Sequence, residues 1–240
     1  MILFIGSGRV GAHLRTLLTA KGAPFRVGTL SANLDGVERL IVCDQISTAD
    51  LPRLDDLYAR ARRANIQRVI LLSCLGAARG YAAPRFAARR GAEELLIHSG
   101  LEHLILRAPV HEGFFEKIAQ RLGENRTTLL PRRTDNRIAP IASPDIAASL
   151  WAALSPGAHH HRVLSIGGPD VMSARDALEI ACRAHGVSTR FAIPLPRRLS
   201  RVSARHQERS LWFSEDFTPP TVEDFGLKRT PLQDALNRTS

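Results

Sequence analysis

The sequence predicts an α/β fold, a doubly wound parallel sheet with a small carboxy-terminal α+β lobe. Short apolar runs alternate with amphipathic helical patterns as far as Pro109, a glycine-rich turn directly follows the first run, and the alternation loosens beyond Pro109. Residues 1–5 form a continuous apolar run closed by Gly6, and Val10, Leu14, Leu17 and Leu18 then recur at helical spacing until Lys21-Gly22-Ala23-Pro24 stops the helix. A second strand is expected over 25–30 and a third at Leu40-Ile41-Val42-Cys43. An amphipathic helix follows over 51–64, then a buried strand over 68–73 bounded by Gly76. A helix from about residue 86 to 98 stops at Ser99-Gly100, and Leu104-Ile105-Leu106 is a further strand ending at Arg107-Ala108-Pro109. Beyond it, residues 114–122 read as helical and 138–141 as extended. Residues 145–154 read as a helix capped by Ser143 with Pro144 in its first turn. A strand over 163–166 meets the turn Gly167-Gly168-Pro169, Ser173 caps a helix over 174–185, and 222–225 is a last short element in a tail rich in Pro and Arg.

The chain has 240 residues, 44% of them hydrophobic, enough to bury a full core. Its formal charge is +10 and its only lysines are Lys21, Lys117 and Lys228. The positive charge is dispersed: Arg60, Arg62 and Arg63 on a helix face, Arg132 and Arg133 in a loop, residues 197–209 in a late helix. With no aromatic interleaving and no helix-turn-helix or zinc pattern, nucleic acid is not an expected partner. No apolar stretch reaches membrane-spanning length and the amino terminus is a strand, so a soluble, cytoplasmic monomer or homodimer acting on a small molecule is expected. Cys43, Cys74 and Cys182 are odd in number and far apart, and read as small buried hydrophobes in a reducing compartment. His159, His160 and His161 are consecutive, without a companion ligand pattern, and are expected in an exposed turn; no metal is expected.

The run Gly6-Ser7-Gly8-Arg9-Val10-Gly11 has the spacing of a Rossmann-type dinucleotide turn. In such a site the first glycine permits the tight turn, the second lets backbone approach a pyrophosphate, and the third allows close helix-on-strand packing. The helix that starts there directs amides and the positive end of its dipole at the phosphates. Residues 1–150 are therefore expected to form the dinucleotide-binding domain, and 151–240 a smaller lobe completing one compact unit. At the end of the second strand, Thr29, Leu30 and Ser31 provide neither the acid that marks NAD nor the arginine that marks NADP. Arg9 in the turn tips the expectation toward NADP, with NAD as the alternative.

Six segments in order resemble the NmrA-like group of atypical short-chain dehydrogenases/reductases. They are the glycine turn; Arg68-Val69-Ile70-Leu71-Leu72-Ser73-Cys74-Leu75-Gly76-Ala77; the run from Gly91-Ala92-Glu93-Glu94-Leu95 into Leu106-Arg107-Ala108-Pro109; Ser143-Pro144-Asp145-Ile146-Ala147; Leu164-Ser165-Ile166-Gly167-Gly168-Pro169; and Pro220-Thr221-Val222-Glu223-Asp224-Phe225. The resemblance implies a cleft between a Rossmann domain and a small lobe. Ser73, Cys74, Leu75 and Pro109 to His111 would border its nicotinamide end, and Cys43, Asp44 and Gln45 would flank the adenosine side. The chain departs from that pattern in three ways. Its glycine turn is one residue shorter; between Ser31 and Glu38 there is no room for the family's helix and third strand, which reduces the adenine pocket; and the Tyr-x-x-x-Lys pair is missing, Tyr81 to Arg85 having only a similar shape. Arg89 stands where relatives often place a lysine or histidine, and would clamp a phosphate or carboxylate.

For a reductase, the hydroxyl or imidazole donors near the nicotinamide end are His111, Ser73 and Tyr81; Glu112 reads first as an exposed acid beside Gly113, and otherwise could orient His111 or act as a base in an isomerase; Phe114 and Phe115 read as lobe-packing residues. The expected function is an NAD(P)H-dependent oxidoreductase acting on a small carbonyl, quinone or enone. The alternatives are a redox-neutral isomerase or cyclase in a biosynthetic pathway and a non-catalytic NAD(P)-sensing regulatory protein.

Overall fold

The computed structural model describes residues 1–79, 83–124, 128–131, 136–155, 159–188, 192–195, 211–212, 217–218 and 221–238. The first apolar run forms β1 (Ile2–Ile5), buried at every position. After the glycine turn, α1 (Arg9–Ala20) lays Val10, Gly11, Leu14 and Leu18 on the sheet, the three- and four-residue spacing that puts side chains on one helix face. Then come β2 (Phe25–Gly28), β3 (Arg39–Val42), α2 (Leu51–Arg63), β4 (Arg68–Cys74), α3 (Pro84–His98) and β5 (His103–Ala108). The remaining elements are α4 (Glu112–Gly123), β6 (Thr128–Pro131), α5 (Ser143–Ala152), β7 (Arg162–Ser165), α6 (Ala174–Ala184), β8 (Ala192–Leu195) and α7 (Leu232–Asn237). Ser143, expected just ahead of its helix as a cap, is instead the first residue of α5.

Six parallel strands run in the order β2-β1-β3-β4-β5-β7, the α/β Rossmann-type sheet the sequence predicts. Alternate residues of each strand face opposite sides. Leu3, Ile5, Leu40, Val42, Val69, Leu71 and Ile105 join Leu54, Leu57 and Tyr58 of α2 and Ala92 and Leu96 of α3 in one core layer. Phe4, Ile41, Ile70 and Leu104, of the opposite parity, are fully buried too, so both faces are covered.

The short stretch between β2 and β3 determines the shape of the site. A parallel crossover usually needs a dozen or more residues and a helix, yet residues 29–38 contain no helix and deliver the chain from β2, on one side of β1, to β3 on the other. The missing helix and strand are thus a fact of the fold. Leu34 and Val37 substitute for the helix by entering the core layer against α2, each contributing about 1.5–3 kcal/mol of apolar burial. The turn is fixed by polar groups as well. Arg60 of α2 donates to Leu30 O at 2.6 Å and Ala32 O at 2.8 Å, Arg26 donates to Asn33 O, and Glu38 N reaches Met1 O at 2.9 Å.

The chain divides into two compact units. One comprises Met1–Ala108, Pro144–Ile166 and Val222–Leu227; the other comprises Pro109–Ser143, Gly167–Thr221 and Lys228–Ser240. The single boundary expected near residue 150 is therefore replaced by interleaving, because the chain returns to supply β7 to the large sheet after beginning the lobe. Among its described residues the second unit holds α4, α6, α7 and a parallel pair of β6 and β8. Ser173 caps α6 as expected: its hydroxyl accepts from Asp176 N at 3.1 Å while Asp176 returns to Ser173. Arg132, Arg133 and residues 197–209 lie outside the described residues.

Candidate functional site

The glycine turn joins β1 to α1 in the large unit, and its three glycines meet three different surroundings. A Cβ on Gly6 would lie 2.3 Å from the Cys43 sulfur just after β3, and one on Gly11 would lie 2.6 Å from Gly6 O, where α1 crosses the strand end. A Cβ on Gly8 would meet nothing within 4 Å. Two glycines are therefore needed for packing, and the third keeps the front of the turn open. Gly8 is the residue that caps α1, in extended backbone with φ −81° and ψ −169°; no side chain caps the helix and its first turn holds no acid. That leaves amides and the positive dipole end facing the opening.

Asp44 ties the turn to the end of β3, its Oδ1 accepting from the Ser7 hydroxyl at 3.2 Å and from Gln45 N at 2.9 Å. Behind it, burial and then the Asp44 charge push the Cys43 thiol up to about 12, so Cys43 is a neutral packing group. Cys182 is buried, whereas Cys43 and Cys74 are only partly so, a modest departure from expectation that follows from their place at strand ends. In front of the turn is a cavity of about 380 Å³ whose lining includes Gly6, Ser7, Thr29, Asp44, Gln45 and two arginines, Arg15 and Arg53. A substantial hollow thus remains beside the turn although residues 29–38 hold no helix. Sequence reasoning missed both arginines. Arg9, which it singled out, is not among the lining residues. Ser31 sits just beyond β2 and accepts from Arg53 at 3.2 Å.

At the end of β4, Ser73 is 3% exposed and its hydroxyl has no hydrogen-bond partner among the described residues. Cys74 ends the strand and Leu75 opens the 3-10 turn Leu75–Arg79. Arg89, from the first turns of α3, donates to Leu72 O at 2.8 Å; burial lowers its pKa, and it feels Cys74, Cys43, Arg85 and Asp44 without an ion pair among the described residues. The buried Tyr58 hydroxyl likewise has no partner among the described residues, and burial raises its pKa against the opposing Arg89 charge. Two motif segments are joined by a fork: Arg107 of β5 donates to the buried Glu93 of α3 at 3.0, 3.2 and 2.5 Å.

In the second unit His111 caps α4. Its Nδ1 accepts from Gly113 N at 3.2 Å and lies 3.3 Å from the Ser143 hydroxyl, while Glu112, 1% exposed, accepts from Ser143 N at 2.8 Å. A ring nitrogen that accepts from an amide carries no proton, so the neutral ring is protonated on Nε2. Pro109 opens this unit. Phe114 and Phe115 meet edge to face at 5.2 Å, as packing residues do. Tyr81 lies outside the described residues.

Among the described residues no group of three or more His, Cys, Asp and Glu is placed to hold a metal ion. The three histidines form an exposed turn, with φ of 56° at His159 and 49° at His161. Each has its own neighbour: His159 has Glu223 at 3.5 Å, His160 has Glu102 at 2.9 Å, and His161 has the His103 ring at 4.9 Å. Among the described residues no helix is long and apolar enough to cross a membrane.

No family model matches this sequence. No curated protein matches it either. Solved structures do resemble it. A nucleoside-diphosphate-sugar epimerase from Staphylococcus aureus superposes with a TM-score of 0.76 at 14% identity, covering 98% of this chain and 99% of that one. An NADPH-dependent quinone oxidoreductase from Escherichia coli, complexed with NADPH, gives 0.73 at 17% identity over 100% and 99% of the two chains. The triphenylmethane reductase of a Citrobacter species, complexed with NADP(H), gives 0.73 at 14% identity over 100% of both. At these identities the likeness concerns the backbone, and the fold of this chain is the one that these reductases and this epimerase share.

Proposed function

We propose that the protein is an NAD(P)H-dependent oxidoreductase, with NADP(H) its preferred cofactor, that reduces a small carbonyl, quinone or enone. The observation that carries this reading is the glycine turn, closed behind Gly6 and Gly11 and open in front of Gly8. The residues of the large unit fit a dinucleotide: amides of the turn for its diphosphate, Thr29, Ser31, Cys43, Asp44 and Gln45 around its adenosine half, Ser73 to Leu75 and Arg89 toward the nicotinamide half. The retained cavity beside Thr29 and Asp44 counts against the redox-neutral alternative, whose motive was a reduced adenine pocket.

Such a cofactor supplies a hydride to an electrophilic carbon, and the chain must then stabilise the oxygen that gains charge until water protonates it. His111 is the donor in this reading. Gly113 N donates to Nδ1, which leaves the Nε2–H of the neutral ring to hydrogen-bond the oxygen as it gains charge; the proton itself comes from water, since a neutral ring that gave up Nε2–H would become an imidazolate. In the large unit the Ser73 hydroxyl, buried and without a partner among the described residues, is the hydroxyl donor of this reading. Arg89 stays protonated and so orients and neutralises instead of transferring a proton.

Loss of NADPH absorbance against a panel of carbonyls, quinones and enones, together with calorimetric titration of both nicotinamide cofactors, tests the reading. Turnover is expected with at least one substrate, and His111→Gln should lower kcat/KM about 100-fold while leaving NADPH affinity unchanged. A chain that neither binds a dinucleotide nor turns one over is not this enzyme.

A further inference from the structure

Four arginines surround the turn between β2 and β3, and they divide into two kinds. Arg60 and Arg26 are consumed by the fold, holding the carbonyls of Leu30, Ala32 and Asn33. Arg15 of α1 and Arg53 of α2 line the cavity. Among the described residues Arg15 has no hydrogen bond or ion pair, and Arg53 has the Ser31 hydroxyl as its one hydrogen-bond partner while its charge also acts on the Asp50 carboxylate. The two acids lining the same cavity are already acceptors. Asp44 takes Ser7 and Gln45 N, and Asp50 takes Ser47 N at 3.0 Å and the Ser47 hydroxyl at 2.6 Å. The end of β2 itself, Thr29-Leu30-Ser31, carries no carboxylate, while two arginines from neighbouring helices line the cavity that it borders, Arg53 reaching the Ser31 hydroxyl.

The geometry points to Arg15 and Arg53 as the receptor for the 2′-phosphate of NADP(H), with Thr29 and Ser31 as hydroxyl donors beside it. A phosphomonoester is close to doubly charged at neutral pH and presents three strong acceptor oxygens, which suits two guanidinium forks arriving from different directions. Specificity that usually resides at the end of the second strand is here carried by the two helices, because the shortened turn brings that strand end within reach of α2. The inference rests on the dinucleotide reading above and makes it specific for the phosphorylated cofactor.

Calorimetric titration of the purified full chain tests it. Wild-type protein is expected to bind NADPH about 30-fold or more tighter than NADH. Arg15→Gln and Arg53→Gln should each weaken NADPH about tenfold and leave NADH unchanged, since a charge-assisted hydrogen bond carries about one decade of affinity. Both substitutions lie on exposed helix faces, and Arg15→Gln breaks no bond of the fold, so it remains informative if Arg53→Gln disturbs the turn. Adenosine 2′,5′-bisphosphate should reproduce the effect, and the 3′,5′ isomer, the coenzyme A-like source of a phosphoadenosine, should not. Equal affinity for NADPH and NADH, equal binding of the two bisphosphates, or a preference that follows Arg9→Gln alone overturns the assignment while the cofactor reading stands. Absence of binding by either dinucleotide removes both.

Discussion

Gly8→Asp should leave the fold intact, or slightly more stable, and weaken NADPH binding on the order of 1000-fold. The two effects have opposite signs because one residue faces two demands. The backbone at Gly8, φ −81° and ψ −169°, is the conformation in which an aspartate caps a helix. A carboxylate there accepts from the first-turn amides and complements the dipole, worth about 0.3–1 kcal/mol. A Cβ at Gly8 meets nothing within 4 Å, so the fold pays no steric penalty. The ligand fares differently. The same carboxylate takes the amides that a diphosphate needs and adds a like charge; losing two charge-assisted hydrogen bonds at about 1.5–3 kcal/mol each gives the stated decades. Gly11→Ala provides the contrast, since its Cβ would stand 2.6 Å from Gly6 O and 2.9 Å from the Gly6 carbonyl carbon. Some backbone must move, and about 1–3 kcal/mol of stability should go with it. Thermal melts and titration of both variants check the pair. Wild-type NADPH affinity in Gly8→Asp would mean that no pyrophosphate approaches this turn.

The turn was legible because every signal for it is local: an apolar run, three glycines at fixed spacing and an apolar stripe at helical period lie within one stretch of chain. The absent crossover helix was legible by length alone, since residues 29–38 leave no room for one. The lobe was harder to read. β8 carries Pro194 and β6 ends in Pro131, residues that argue against a strand. They are tolerated here because each strand pairs on one side only within a two-stranded ladder. The arginines of the cavity were illegible for another reason. Arg15 and Arg53 fall on the exposed faces of their helices, where periodicity assigns them no role, and only the folded chain brings both into the lining of one cavity with Thr29. The capping role of His111 depends likewise on contacts of its ring nitrogen that no spacing rule reports.

The Glu93–Arg107 fork is another relation between distant positions, and its removal should be costly. Glu93 has 3% of its side chain exposed and Arg107 has 25%. The hydrogen bonds that Arg107 donates to Glu93 are the largest influence holding the Arg107 pKa up. Removing one partner strands the other charge, at about 3–5 kcal/mol. Glu93→Ala should sit at the low end, about 3 kcal/mol, because the Arg107 guanidinium keeps a path to water. Arg107→Met should sit higher, because the Glu93 carboxylate has almost none. Glu93→Leu with Arg107→Met should cost far less than the sum, since two apolar groups of similar volume replace a pair whose desolvation offset most of its attraction. Urea unfolding of the four proteins at constant slope measures the cycle, and single variants within 1 kcal/mol of wild type, a threshold well below the about 3–5 kcal/mol expected, would show that the fork is solvated. The site adds a second readout. Arg107 pairs in register with Ser73, and its carbonyl accepts from Ile166 N at 3.0 Å, so the fork braces the strand ends where Ser73 and Cys74 stand. A double variant that regains stability yet binds NADPH weakly would assign the ion pair to holding those strand ends in place for the ligand, a task that apolar packing of equal volume does not perform.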